Sequence, residues 1–510
     1  MIKIFEMISR NFISALLLGT LVSAFVMALA PKKAGAFRTK WAALAMSCAI
    51  FVASLYLYFN FNTCSAAMQF CEKRAWISGL KAYYSVGVDG LSLFLVLLST
   101  FLTPIVVLTT NVRTLKNASY YFSLFFFLEF TMIGALVARD ALLFYLFWEL
   151  MLVPMYLIIG VWGGPDRIRA TVKFLLYTIF GSVFMLWGLF WMVSYHNVSA
   201  GSLTFDIAEL AAMRIDPAVQ KILFCLFSIA FMVKIPVFPF HTWLPHAHVE
   251  APTGGSVMLA AVLLKMGAYG FLRFSIPMFP AAALEFSGAM MALGAFGIVY
   301  GAMMSYAQDD LKKLIAYSSV SHMGTVVAGI FALNAAGVTG AIVQMVNHGV
   351  STGALFLLVG VIYERRHTRL LDDFGGLASV MPVYSTVFAI VTFSSIGLPG
   401  LNGFVGEFLI LLGAFGASPL IGAVAATGVV LGAVYMLRVY EKMFLGKVTH
   451  RENEKLNDLG YTERLALTAL MIAIFAVGVY PGFVTSRVER SVKAVVAPFE
   501  KGGALCSATK

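Results

Sequence analysis

Charge is what this sequence has least of: 12% of its 510 residues are Asp, Glu, Lys or Arg, against roughly 25% in an ordinary soluble domain. No polar stretch is long enough to build even one soluble domain, although length alone suggests about three. Five cysteines, none in a CxxC pair, give no support for an iron–sulfur cluster. Cys64 and Cys71 lie in one polar loop and read as free thiols. Neither a GxGxxG nor a P-loop run occurs, so nothing points to a nucleotide bound by the chain itself. What is present is apolar: 60% hydrophobic residues and a mean hydropathy of +0.87. Such a composition cannot cover a water-facing surface, and it is the opposite of the polar, highly charged composition of disorder. The chain reads as a polytopic membrane protein whose function lies inside the bilayer. The net charge of +11 does not indicate a nucleic-acid partner, because the basic residues sit in short loops between apolar runs.

Apolar stretches of about 20 residues number fourteen: 11–31, 41–60, 88–110, 118–138, 140–162, 171–195, 219–246, 252–276, 284–306, 312–334, 338–363, 380–413, 419–437 and 465–486. The first, with Lys3 and Arg10 before it and Ala28–Leu29–Ala30 at its end, has the outline of a signal peptide. Its length and the following Lys32 and Lys33 favour a retained span. The odd loops hold 20 Lys and Arg, the even loops 7 and the two ends 7. The positive-inside rule therefore puts the odd loops on the cytoplasmic or matrix side and both termini on the outer side. Two of the 36 basic residues remain, Lys234 and Lys265, each in the middle of a span.

Seven ionisable residues stand at middle depth: Glu129, Glu149, Lys234, Lys265, His322, His348 and Glu407. Each charge placed at the bilayer centre costs about 2.5–3.5 kcal/mol unless it faces a wet or protein-lined interior. Singly, Glu149 and Lys234 could form a static ion pair, and either histidine could be a packing residue. Together they read as a proton relay. At an effective dielectric of 20, a carboxylate about 4 Å from an ammonium contributes near 4 kcal/mol, and about half of that at twice the distance. A shift of a few ångströms between Glu149 and Lys234 thus changes proton affinity by roughly 2 kcal/mol, which matches the ~2.3 kcal/mol needed to move a proton against 100 mV. His322 and His348 suit intermediate stations, with water bridging the gaps.

The backbone points the same way. Pro236 and Pro239 remove two amide donors beside Lys234, and Gly397, Pro399 and Gly400 interrupt the span that carries Glu407. A broken helix survives at membrane depth only where protein or a cavity covers it; the simpler reading is a packing kink. Breaks in the seventh and twelfth spans, each next to a buried charge and five spans apart, fit a repeat of spans 4–8 and 9–13. An odd number of spans per unit makes the copies inverted. The cluster His241, His246, His248 and Glu250 invites a metal reading, but its spacing fits no zinc pattern. It reads instead as a structured loop linking spans 7 and 8, at a proton entrance.

The run FWELMLVPM (147–155), the stretch from Lys234 to Lys265 through HTWLPHAHVEAPTGGSV (241–257) and LLKMGAYG (263–270), LIAYSSVSHMG (314–324) and GFVGEF (403–408) closely resemble one family. It is the antiporter-like proton-translocating subunit M (chain 4) of NADH:quinone oxidoreductase, respiratory complex I. The resemblance runs over essentially the whole chain, most strongly 140–410. It implies an all-α fold of fourteen transmembrane helices: helices 1–3 over 1–117, inverted five-helix repeats over 118–277 and 278–445 with helices 7 and 12 broken, and helix 14 with a short tail over 446–510. It implies a Glu–Lys pair at Glu149 and Lys234, a central axis of Lys265, His322 and His348, and an exit towards the outer side at Glu407. Sister subunits L and N, and multisubunit cation/proton antiporters, usually carry lysine where Glu407 stands, and the tail is too short for the long lateral helix of subunit L. His246 departs from the family's usual Asp, and Glu129 joins the set by depth alone, with no family role. By the resemblance, NADH, FMN, iron–sulfur clusters and quinone belong to partner subunits and none to this chain. The implied partners are the flanking subunits L and N and membrane lipid. The implied location is a bacterial inner membrane, or the mitochondrial inner membrane as the alternative. Two rival readings are a subunit of a sodium or potassium/proton antiporter and a non-conducting membrane scaffold.

Overall fold

A computed structural model of the chain describes residues 11–30 and 35–500. Lys3, Arg10, Lys32, Lys33 and Cys506 lie outside them. Among the described residues, eleven helices are long and apolar enough to cross a membrane, and four shorter apolar helices accompany them: Phe12–Ala28, Leu93–Thr109, Pro382–Ser395 and Asn402–Ala417. Cys48, Cys64, Cys71 and Cys225 are free thiols.

The helices sort by what surrounds them. Thr253–Met278 and Ala335–Arg366 are enclosed along their whole apolar windows, and Leu311–Phe331 nearly so. Ala36–Phe59, Pro419–Phe444 and Tyr461–Val479 turn most of their surface outward, as lipid-facing helices do. Small residues set the closeness of the centre. Helices Pro280–Tyr306 and Leu311–Phe331 pack backbone on backbone, since a Cβ on Gly301 would lie 2.6 Å from the Ser321 amide nitrogen. Helix starts are marked by acids that accept otherwise unpaired amides: Asp140 from Leu142 and Leu143, Asp310 from Lys312 and Lys313.

Three expectations are corrected. The second loop is an antiparallel hairpin, Gln69–Ile77 with Ala82–Val88, so the third helix begins at Leu93 rather than 88. Glu72 of that hairpin accepts the Ser14 amide at 3.0 Å, and Tyr83 N–H donates to Asp140 at 2.9 Å, which pins the hairpin to the starts of two helices. The stretch 465–486 is not one span. Helix Tyr461–Val479 stops before Pro481, and Gly482–Glu500 forms a separate amphipathic helix with Val484, Val488, Val492 and Val496 on its buried stripe. The segment 241–250 is not a loop, because Trp243–Glu250 is helical.

Candidate functional site

The site is assembled from both sides of the enclosed centre. Lys265 lies on Leu264–Gly270, between π-helical turns at Leu259–Leu263 and Phe271–Ser275. A π turn widens the helix and re-aims its carbonyls, and the Lys265 ammonium donates to the Ala260 carbonyl five residues back. Its Nζ also lies 2.6 Å from Nδ1 of His348, on helix Ala335–Arg366. The His348 and His322 rings are 5.5 Å apart. His322 Nδ1 stands 3.4 Å from Glu407 Oε1, and its Nε2 is 3.3 Å from the Ser395 hydroxyl. Gln344 Nε2 donates to Glu407 at 3.1 Å. Lys265, His348, His322 and Glu407, from four helices, thus stand in one polar row, in contact at Lys265–His348 and at His322–Glu407, whereas no hydrogen bond joins the two rings and His348 Nε2 has no partner. Two small cavities meet at His322, about 10 Å³ towards His348, Asn347 and Ser351 and about 20 Å³ towards Ser395, Glu407 and Tyr435, each with room for about one water. Their polar walls offer water the partners it needs.

The break beside Glu407 is shaped by glycine. Pro382–Ser395 ends, residues 396–401 turn, and Asn402–Ala417 begins. Gly397 and Gly400 have φ of 76° and 90°, a region costly for residues with a Cβ. At Gly397 a Cβ would also come within 2.6 Å of Glu407 Oε2. Asn402 ties the break to helix Ala335–Arg366: its Oδ1 accepts from Ser394 at 2.5 Å, its Nδ2 donates to Ser351 at 3.2 Å, and its carbonyl accepts from Asn347 at 2.6 Å. Pro399 lies in this turn, as Pro236 and Pro239 lie in the first break, where Pro217–Lys234 ends at Lys234 itself. There the Trp243 indole donates to the Val233 carbonyl at 2.9 Å and so satisfies an acceptor freed by the end of the helix.

Glu149 and Lys234 do not touch. No ion pair within 4.0 Å joins them, and neither Lys234 Nζ nor Glu149 Oε1 has a hydrogen-bond partner. The ammonium lies instead 4.9 Å from the centre of the Trp148 ring, a cation–π contact that holds a buried cation without a carboxylate. Gly267 lets this helix approach the one bearing Lys265, because a Cβ there would meet the Phe231 carbonyl at 2.6 Å. Glu129 stands apart: it is fully buried, its carboxylate has no hydrogen-bond partner, and its polar neighbour is Thr103.

The three histidines of 241–248 do not converge. His241 pairs with the Tyr300 hydroxyl at 3.1 Å, His246 is exposed, and His248 stacks on Phe356 at 4.5 Å. Among the described residues no three His, Cys, Asp or Glu side chains come together as metal ligands. His248 is the residue that the sequence reading undervalued. It is fully buried with neither ring nitrogen bonded, and Lys312 and Lys265 are its charged neighbours. Its i+7 spacing from His241 masked this behind a ligand-like cluster. Gln344, Asn347 and Ser351 were also missed, though with His348 they form a polar stripe at helical spacing in an apolar run.

The family described as NADH:quinone oxidoreductase/Mrp antiporter, transmembrane, matches residues 138–432, more than half of the chain. NADH-quinone oxidoreductase subunit M of Rhodobacter capsulatus is 44% identical over 512 residues, covering 98% of this chain and 99% of that protein. NADH-ubiquinone oxidoreductase chain 4 of Arabidopsis thaliana is 42% identical, covering 89% and 90%. A chain of respiratory complex I from Thermus thermophilus, solved with bound NADH, is similar with a TM-score of 0.87 at 30% identity, covering 95% of this chain and 99% of that one. A chain of the Mrp complex from Dietzia sp. DQ12-45-1b shares the fold, with a TM-score of 0.80 at 23% identity over 98% of this chain and 56% of that one.

Proposed function

The chain belongs to the NADH:quinone oxidoreductase/Mrp antiporter family as a subunit M-type, proton-translocating membrane subunit of complex I, and on that premise we propose that its protons travel through Lys234, Lys265, His348, His322 and Glu407 under the control of Glu149. The observation that carries this reading is the row from Lys265 to Glu407, in which proton-exchanging groups stand 2.6 Å and 3.4 Å apart with two histidine rings between them. A proton that reaches the Lys265–His348 pair needs only short hops, with water in the two cavities, to arrive at Glu407. Entry is the switched step. The separation of Glu149 from Lys234, with Trp148 beneath the ammonium, is the open arrangement of a pair whose closure by a few ångströms alters proton affinity by about 2 kcal/mol. Gly397, Pro399 and Gly400 on one side, and Pro236 and Pro239 on the other, supply the interrupted backbone on which each switch turns. Glu129 enters this scheme only as a further buried acid beside the path.

The finer architecture follows the same reading: fourteen membrane helices, with 118–277 and 278–445 as inverted copies each holding one broken helix, 1–117 as the three leading helices and 446–510 as the closing segment. Both termini then face the outer side of a bacterial inner membrane. Subunits of the L and N kinds flank the chain, and NADH, FMN, iron–sulfur clusters and quinone reside in other subunits of the enzyme. Direct side-chain contacts along the line favour protons over hydrated sodium or potassium; sodium dependence of transport in proteoliposomes would instead support the antiporter reading. In the assembled enzyme, Lys234→Ala and Glu149→Ala are each expected to reduce both quinone reductase activity and proton pumping about ten-fold or more, the effect of a barrier raised by ~1.4 kcal/mol. Glu149→Asp, which keeps the charge, is expected to be milder. Lys234→Ala with both activities intact would establish the scaffold reading.

A further inference from the structure

We propose that the apolar cleft between helices Ala36–Phe59, Leu93–Thr109, Ala335–Arg366 and Tyr461–Val479 holds one acyl chain of a phospholipid whose phosphate is gripped by Arg487. The cleft measures about 270 Å³, just under the range of drug-sized ligand pockets, about 300–1,000 Å³. Its walls are hydrocarbon throughout, among them Phe51, Phe101, Leu98, Val350 and Ala473. It runs from the level of the amphipathic helix Gly482–Glu500 down to Val346 and Val350, which bracket His348 in sequence. Its mouth is an aromatic frame: Phe483 stacks on Tyr58 at 4.8 Å and meets Phe94 at 5.9 Å.

Arg487 stands one turn beyond Phe483, with its guanidinium carbon 3.7 Å from the centre of the Tyr58 ring. Arg273, Arg365, Arg366 and Arg369 each meet a carboxylate within 4.0 Å. Arg487 meets none among the described residues, and its buried Nε has no hydrogen-bond partner. The helix backbone that carries it is held against Gly90, whose amide donates to Ser491 at 3.1 Å and whose Cβ, if it had one, would strike the Arg487 carbonyl at 2.5 Å.

These features select the occupant. An acyl chain gains nothing from the hydrophobic effect by leaving bulk lipid; what draws it into the cleft is the dispersion lost by walls that face a gap. The anchor must therefore come from the headgroup, and a guanidinium that rests on Tyr58 with no carboxylate partner, one turn beyond the cleft-lining Phe483, matches a phosphate by charge and by planar hydrogen-bond geometry. A transmembrane helix, 10–12 Å across with its side chains, suits an irregular slot roofed by Phe483 less well than a flexible chain does.

The test uses the whole enzyme in phosphatidylcholine vesicles that carry a minor fraction of phosphatidylglycerol with a mid-chain photoreactive diazirine. After illumination, labelled peptides are mapped. The expected result is enrichment on 94–101 and 469–477 over the lipid-facing helix Arg167–Ala200. Arg487→Gln is expected to lower that label about ten-fold or more, the effect of one charge-assisted hydrogen bond, with partial recovery in Arg487→Lys. Ala473→Trp, which fills the slot, is expected to abolish it, and Ala469→Leu serves if the larger residue blocks assembly. Label no stronger on these segments than on Arg167–Ala200, label indifferent to the fillings, or protection of the cleft by a neighbouring subunit would each overturn the proposal.

Discussion

Gly397→Ala is the sharpest probe of the Glu407 end of the line. The substitution adds one methyl, and the structure assigns it two effects. The backbone at φ 76° costs a residue with a Cβ about 1–2 kcal/mol. The methyl would also lie 2.6 Å from Glu407 Oε2, where ordinary contact begins at 3.4 Å, so the carboxylate must withdraw by the difference of 0.8 Å. Gln344 donates to the other oxygen, Oε1, at 3.1 Å; if the carboxylate withdraws as a unit away from Gln344, that bond lengthens to 3.9 Å, past hydrogen-bonding distance. A lost bond to a charged group costs about 1.5–3 kcal/mol, and a barrier higher by ~1.4 kcal/mol slows transfer ten-fold. Gly400→Ala is the matched control: φ is 90° there, but the added methyl has nothing within 4 Å. It incurs the backbone strain without displacing Glu407. In inverted vesicles bearing the assembled enzyme, dye quenching should report about ten-fold slower acidification for Gly397→Ala and a rate near that of the parent for Gly400→Ala, with assembly intact in both. Equal rates in the two variants, or parental pumping in Gly397→Ala, would refute the displacement argument.

His248→Phe keeps the stack on Phe356 and deletes two unbonded buried nitrogens. If His248 passes protons between the surroundings of Lys312 and Lys265, pumping falls several-fold while the melting temperature holds or rises, because an unsatisfied polar group costs about 1–3 kcal/mol; a pure packing residue leaves pumping unchanged. Asp140→Ala removes two helix-capping bonds and the tie to Tyr83. A stability loss of about 1–2 kcal/mol is expected, together with faster amide hydrogen exchange over Ala82–Val88; exchange unchanged there would show that the hairpin is held by other contacts.

The buried charges were legible because cost made them visible: a lysine in the middle of an apolar span has few reasons to be there. Spans were legible for a similar reason, since bilayer thickness fixes their length. Contacts were not. Glu149 and Lys234 looked like a pair on charge alone, whereas Trp148, an unremarked neighbour in FWELM, holds the ammonium. The π turns that flank Lys265 leave no mark on hydrophobic periodicity: Leu259–Leu263 is as apolar as the α-helical turns beside it, and Phe271–Ser275 differs only in carrying Arg273 and Ser275. The hairpin was hidden by its charges: Glu72, Lys73 and Arg74 made Gln69–Ile77 look like a solvated loop, although Glu72 is turned inward to Ser14. His248 was obscured by two nearby histidines that lie elsewhere, His241 on Tyr300 and His246 at the surface.

Enclosure of Ala335–Arg366 on every side bears on how the molecule is made. Gln344, Asn347, His348 and Ser351 find their partners on helices that emerge before and after it, among them Lys265, Ser394, Asn402 and Glu407. Alone in lipid, that stripe has no such partners. The rim helices, oily on their outward faces, can enter the bilayer singly, but this one is completed only when 402–417 arrives from the ribosome. Biogenesis is thus bound to a late closing step, and truncation before residue 402 leaves the helix that carries His348 without its mate.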